Sequence, residues 1–211
     1  MANVPRPSCN EVENYLVFWS SLENYLLQER ALTKLFSRTY PANTDINDVL
    51  IKVSTLNAFY STNVYFPLQI AQHILDLKID ERLQADDMTL VNDIAKVTID
   101  NGSVKNFYSF ATKYCSQHKP LAFPIYDSYV DRMLRYFRDQ DGFSDFSNYD
   151  LKDYAAFKEI LLKFRAFYNL ERYNLQEIDR YLWLSGKEKF SKISTAQLKH
   201  AGDSVSIGLK D

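Results

Sequence analysis

Between Lys113 and Val130 the chain sets a lysine, two prolines and a carboxylate in an order that could do chemistry. A helical stretch ending near His118 gives way to a loop restricted by Pro120 and Pro124, and Asp127 opens the next helix. Prolines narrow the unfolded ensemble, so ordering such a loop costs less entropy. The dipole of a helix favours a carboxylate at its N-terminus in the ionised form. In a cleft, that group can stabilise positive charge developing on a substrate and help to orient water. Asp127 can equally be a plain cap that accepts from backbone amides. Lys113 reads as a basic contact, as an amine nucleophile, or as part of a solvated helix face.

Other chemistries find no support. The chain has no phosphate loop, no dinucleotide glycine fingerprint, no His-Glu-x-x-His and no Gly-x-Ser-x-Gly. Cys9 and Cys115 are far apart, and His73, His118 and His200 are scattered, so neither a disulfide framework nor a metal site is expected. Arg132, Arg135 and Arg138 form a basic stripe that could meet a nucleic-acid backbone. Asp131, Asp139 and Asp141 interleave with it, which is also the pattern of an exposed ion-paired face.

The elements that must position these residues read as helices. Leu16, Phe18, Trp19, Leu22, Tyr25, Leu26 and Leu32 recur at three- and four-residue spacing, so one helical region runs from Glu11 to about Ser37. Thr44 or Asp45 caps the next helix, with Ile46, Val49, Leu50, Val53, Leu56, Phe59 and Tyr60 on its apolar face. Pro67 suits the first turn of a third. Asp80 to Leu83 is a short helix or turn, and a further helix runs through Leu90, Val91, Ile94 and Val97. Asn101-Gly102 is a turn signal, and Ser103 can cap the helix that turns Phe107, Phe110, Ala111, Tyr114 and Cys115 inward. Later helices run from Asp127 to Gly142, from Asp150 to Tyr168, and from the capping box Asn174/Glu177 to a stop at Gly186. Residues 191–211 read as a polar segment, either a mobile tail or a weakly docked arm. An all-α single domain over residues 1–190, of roughly eight helices, is expected.

Composition agrees. Five glycines in 211 residues are too few for a glycine-punctuated barrel, and an aromatic share of 15% supplies thick helix–helix contacts. A net charge of −2 counts against a strongly electrostatic nucleic-acid binder but leaves room for one basic face. The N-terminus lacks the apolar core of a signal peptide, and no run approaches the about 18 apolar residues of a membrane span. The cytoplasm is the expected address, with no membrane partner.

The helix, proline-bearing loop and helix-initiating Asp127 before Val130 resemble the catalytic region of the helix-hairpin-helix DNA glycosylase superfamily. On that resemblance, Asp100 to Lys105 is the hairpin turn, and the helix bearing Ala111 and Lys113 is its second arm. Leu56 to Asn63 matches the helix that meets DNA near the lesion. The resemblance spans about residues 45 to 140 and implies a flipped base, with Asp127 as the catalytic carboxylate and DNA as the partner. Tyr60, Phe107, Tyr108 and Trp183 become candidates for stacking on the base. Gly102, Lys105 and Lys113 become candidates for the DNA backbone. The hairpin carries Gly102 alone where the superfamily has two glycines. Ungapped counting puts Ser109 or Tyr108, not a lysine, at the nucleophile position. That points to a monofunctional, water-using enzyme without metal or cofactor. The alternative is a helical domain without catalysis that binds nucleic acid or protein.

Overall fold

The computed structural model describes residues 4–100 and 102–191. Ten α-helices occur among them. The first six are α1 (Cys9–Trp19), α2 (Glu23–Lys34), α3 (Ile46–Tyr60), α4 (Pro67–Asp76), α5 (Ile79–Gln84) and α6 (Thr89–Ala95). The strands β1 (Lys96–Thr98) and β2 (Val104–Asn106) follow, and then α7 (Tyr108–His118), α8 (Ser128–Asp141), α9 (Tyr154–Phe167) and α10 (Leu175–Phe190). The all-α expectation holds. The expected tail beyond Ser191 lies outside the described residues. No helix among the described residues is long and apolar enough to cross a membrane.

Local signals explain most boundaries. Asp45 caps α3 by accepting from the Asn47 and Asp48 amides, Pro67 opens α4, and Asn174 with Glu177 closes a capping box on α10. Gly142 ends α8 at φ +62°, a left-handed conformation that glycine adopts without strain. The expected helix from Glu11 to Ser37 is interrupted at Ser20–Leu22 and becomes α1 and α2. Ser20 and Ser21 there turn their hydroxyls back onto the Leu16 and Phe18 carbonyls.

Four expectations need correction. The helix through Val97 stops at Ala95, and the segment expected as a turn between helices is a β-hairpin. Lys96, Val97 and Thr98 pair antiparallel with Asn106, Lys105 and Val104. β-Branched residues on both sides of an Asn-Gly pair favour strands over helix, and Gly102 takes φ +77° at the tip. Ser103 therefore does not cap α7, whose N-cap position is held by Phe107. Gly186 does not end α10 either. It lies inside the helix where α10 crosses α8, and a Cβ there would stand 2.9 Å from Met133 Cγ and 3.0 Å from the Tyr129 carbonyl oxygen.

Around the middle of the molecule, α7 is buried along almost its whole length, from Tyr108 to Ser116. It packs on α6, α3 and α2. The other main layer is α10, laid against α8 and α1. One continuous core runs from Val12 to Leu182 and ties the two layers together. The close crossing of α8 and α10 fixes how the start of α8 faces α10. Gly186→Ala gains helix propensity of about 1 kcal/mol but forces that crossing apart, which costs ~1–3 kcal/mol. Chemical denaturation should show a net loss of about 1 kcal/mol for Ala and a larger loss for Val. An unchanged or raised stability for both would contradict the tight crossing.

Candidate active site

The loop after α7 is held by its aromatic and hydroxyl side chains. Phe123 is fully buried and stacks on Tyr154 at 6.0 Å between ring centroids. The Tyr154 hydroxyl donates to the Pro124 carbonyl at 2.8 Å. From α7, Thr112 Oγ1 accepts from the Tyr126 amide at 3.1 Å, and Ser109 Oγ donates to the Tyr126 carbonyl at 3.2 Å. The loop is thereby strapped to α7 one residue before Asp127. These bonds are buried or partly buried, so each counts for more than a surface contact.

Asp127 caps a helix with one oxygen and faces Lys113 with the other. Its Oδ1 accepts from the Tyr129 amide at 2.8 Å and caps α8. Its Oδ2 lies 3.8 Å from Lys113 Nζ. Lys113 is 4% exposed, and its amine donates to Ser109 Oγ at 2.6 Å. Nζ also stands 5.4 Å from the centre of the Tyr60 ring. Burial pushes the Lys113 ammonium below the ordinary lysine range, and the carboxylates of Asp127 and Asp179 pull the other way.

The pair faces a cavity of about 530 Å³, within the usual size range of small-molecule sites. Trp19, Tyr25, Phe59, Tyr60 and Trp183 supply aromatic wall. Trp183 meets Tyr25 and Trp19 edge-on, with ring centroids 5.4 and 5.9 Å apart. Lys187 rides on this cluster, 4.5 Å from the centre of the Trp183 ring, and donates to the Tyr25 hydroxyl at 3.0 Å. Arg180 pairs with Glu29 at the same wall. Gln117 holds the Tyr60 hydroxyl at 3.0 Å.

Asp179 completes the polar side of the cavity. It is 8% exposed, and its Oδ1 is sealed from solvent without a hydrogen-bond partner among the described residues. Burial, reinforced by the Asp127 carboxylate, pushes its pKa up to about 8, against the pull of Lys113 and Arg180. The shift favours the protonated carboxyl over the carboxylate.

Another buried lysine shows the contrast with a structural role. Lys52 is fully buried, but its amine donates to the Ala42 carbonyl at 2.9 Å and to Asn43 Oδ1 at 2.6 Å. The Tyr114 hydroxyl shares that Asn43 oxygen at 2.6 Å. His118 joins the cluster through Asn43 Nδ2 at 3.2 Å, and burial with nearby Lys52 lowers its pKa to about 3, so it is neutral. This network pins the loop before α3 to α7.

Of the residues expected at a site, Asp127, Lys113, Tyr60 and Trp183 line the one cavity. Phe107 does not; it packs partly buried on the core at the start of α7. Tyr108 faces a separate cleft of about 270 Å³ with Lys96, Asn106, Lys152 and Asp153. Gly102 and Lys105 sit on the β-hairpin and line neither. The arginine stripe is engaged within the fold. Arg135 pairs with Asp131, Arg138 with Asp139, and the Arg132 guanidinium lies 3.8 Å from the centre of the Phe190 ring. Trp19, Tyr25 and Asp179 were not anticipated. Asp179 did leave a signal: it falls four residues after Leu175 and three before Leu182, on the apolar stripe of its helix. Among the described residues, no three His, Cys, Asp or Glu side chains converge to hold a metal.

An unpartnered buried carboxyl lowers stability, by about 1–3 kcal/mol. Its pH dependence has a definite sign. Between about pH 4 and pH 8 the folded state keeps the Asp179 proton that the unfolded state has lost, so stability falls as pH rises through that window. Asp179→Asn removes this titration. Unfolding free energies measured across the window should therefore shift in favour of the variant, by on the order of 2 kcal/mol at the upper end. Parallel curves for the two proteins would mean that Asp179 is ionised as in water.

Comparison with known proteins places the chain. No solved structure matches it. A Haemophilus influenzae protein described as uncharacterized is 50% identical over 151 residues, which cover 71% of this chain and 72% of the relative. The HI_0787_N family model, described as an N-terminal domain, matches residues 11–122. That span holds Lys113 and the aromatic wall from α1 to α3, while Asp127, Asp179 and Trp183 follow it. With more than half of the chain matched, this protein belongs to the HI_0787_N family.

Proposed function

We propose that the protein excises a base from DNA, with Lys113 and Asp127 as the reacting pair. The observation that carries this reading is the 3.8 Å approach of Lys113 Nζ to Asp127 Oδ2 at an aromatic-walled cavity. Each part has a use in breaking a glycosidic bond. The aromatic wall accepts the flat face of a base drawn out of the stack. The Asp127 carboxylate stabilises the positive charge that builds on C1′ and the ring oxygen as the base departs. Burial disfavours the Lys113 ammonium, which favours the neutral, nucleophilic amine.

The bond changes balance. The Lys113 lone pair forms a bond to C1′ as the bond from C1′ to the base nitrogen breaks. The base leaves with that electron pair and takes up the proton that the amine sheds. Opening of the sugar ring then turns the ring oxygen into a hydroxyl and leaves an imine between Nζ and C1′. This extends the expectation from sequence, which rested on Asp127 alone and on water. Lys113 lies out of the superfamily's register in the chain, and the 3.8 Å approach to Asp127 is what supports its use here.

The test is release of a base from a panel of duplex and single-stranded oligonucleotides, each with one altered base. The wild type should release at least one. Asp127→Asn and Lys113→Gln should each cut the rate by at least about a hundredfold. Unchanged melting temperatures would separate lost chemistry from a lost cap. Absence of release across the panel, or full activity in both variants, would contradict the reading.

A further inference from the structure

Several polar groups around the reacting pair have a visible task. Asp127 caps a helix, Gln117 holds Tyr60, and Arg180 is paired with Glu29. Asp179 lines the cavity with its Oδ1 buried and unpartnered among the described residues, a state shared on that wall with the Trp19 indole N–H. A polar atom left in that state inside a binding site is satisfied by what binds there, and ligands that cannot satisfy it are rejected strongly. Trp183 stands one turn along α10 on the same face as Asp179. A flat ring on the aromatic wall can pair with a carboxyl only through the donors and acceptors of its edge.

We propose that Asp179 selects the ring that enters the cavity by pairing with a lactam edge, a ring N–H beside a carbonyl. The proposal names the substrate class of the excision site and rests on that reading for what enters it. Charge decides which edge is accepted. The groups acting on Asp179 are Lys113 from α7, Asp127 at the start of α8, and Arg180 on α10 itself. Tyr60 from α3 couples to it as well, and Glu29 from α2 neutralises Arg180. Burial and the Asp127 carboxylate prevail over the two cations and keep the proton on Asp179 up to about pH 8. A carboxylic acid has one donor and one acceptor side by side, so its carbonyl accepts the ring N–H while its hydroxyl donates to the ring carbonyl. An ionised carboxylate would instead require two donors.

Titration with nucleosides, read by the fluorescence of Trp19 and Trp183 in the cavity wall, tests this without any bond cleavage. Inosine, which carries the edge, should bind. 1-Methylinosine, in which a methyl group blocks the N–H, should bind at least about tenfold more weakly. Asp179→Asn should keep the preference, because a carboxamide supplies the same donor and acceptor. Asp179→Leu should lose it. Inosine affinity of the wild type should fall as pH rises through about 8, and this fall should be smaller in Asp179→Asn. Equal affinity of the wild type for the two nucleosides, no affinity for either, or an undiminished preference in Asp179→Leu would overturn the proposal. Selection between nucleosides without base release from any oligonucleotide would remove the excision reading and leave the role of Asp179 standing. Release without selection would do the reverse.

Discussion

Lys113 carries its amine into the interior on the most buried helix of the protein, and much of the architecture follows from that placement. An ammonium there loses water and must be compensated by nearby charge and hydrogen bonds. Asp127 supplies the charge at 3.8 Å and Ser109 the hydrogen bond at 2.6 Å. Asp127 can do so because the loop before it is strapped to α7 through Tyr126 and locked by Phe123 and Tyr154. The close crossing of α8 and α10 at Gly186 then brings the Asp179 face of α10 against the same pair. Remove the buried amine, and the strapped loop has no evident purpose beyond packing.

The polar interior divides into a satisfied part and an unsatisfied part. The Lys52, Asn43 and Tyr114 cluster is closed on itself, as buried networks must be if they are to add stability. The cavity is open by comparison. Its amine is held by one hydroxyl and one distant carboxylate, and Asp179 keeps an oxygen without a partner. Proteins tolerate such groups where function requires them and compensate elsewhere. Away from the cavity lining, Phe137, Phe164 and Tyr168 pack ring against ring between α8 and α9 and add to the buried core.

Much of this was legible in the sequence because the signals were local. Helical spacing, Pro67, the Asn174/Glu177 box and the Asp127 cap each depend on residues a few positions apart. The β-hairpin was missed because turn chemistry at Asn101-Gly102 was read as separating two helices, although Val97, Thr98, Ile99 and Val104 are β-formers. At the site, Asp127, Lys113, Tyr60 and Trp183 came within reach of sequence reasoning through the unusual Lys113–Val130 segment and through aromatic type. Trp19 and Tyr25 read as core, since periodicity gives the buried face of a helix but not which part of it borders a cavity. Counting along the chain placed Lys113 off the nucleophile position and left it as a basic contact. The fold brings it to Asp127 across a loop whose shape no spacing rule describes.

The central claim is that the Lys113 amine attacks a sugar carbon. An oligonucleotide with a single abasic site exposes that carbon as an aldehyde and makes the choice of altered base irrelevant. Incubation with the protein and cyanoborohydride, followed by peptide mapping, would identify the lysine that forms the imine. The account predicts one adduct, on Lys113, that is lost in Lys113→Gln and reduced in Asp127→Asn. Adducts confined to surface lysines such as Lys96 and Lys105, or undiminished in Lys113→Gln, would contradict it.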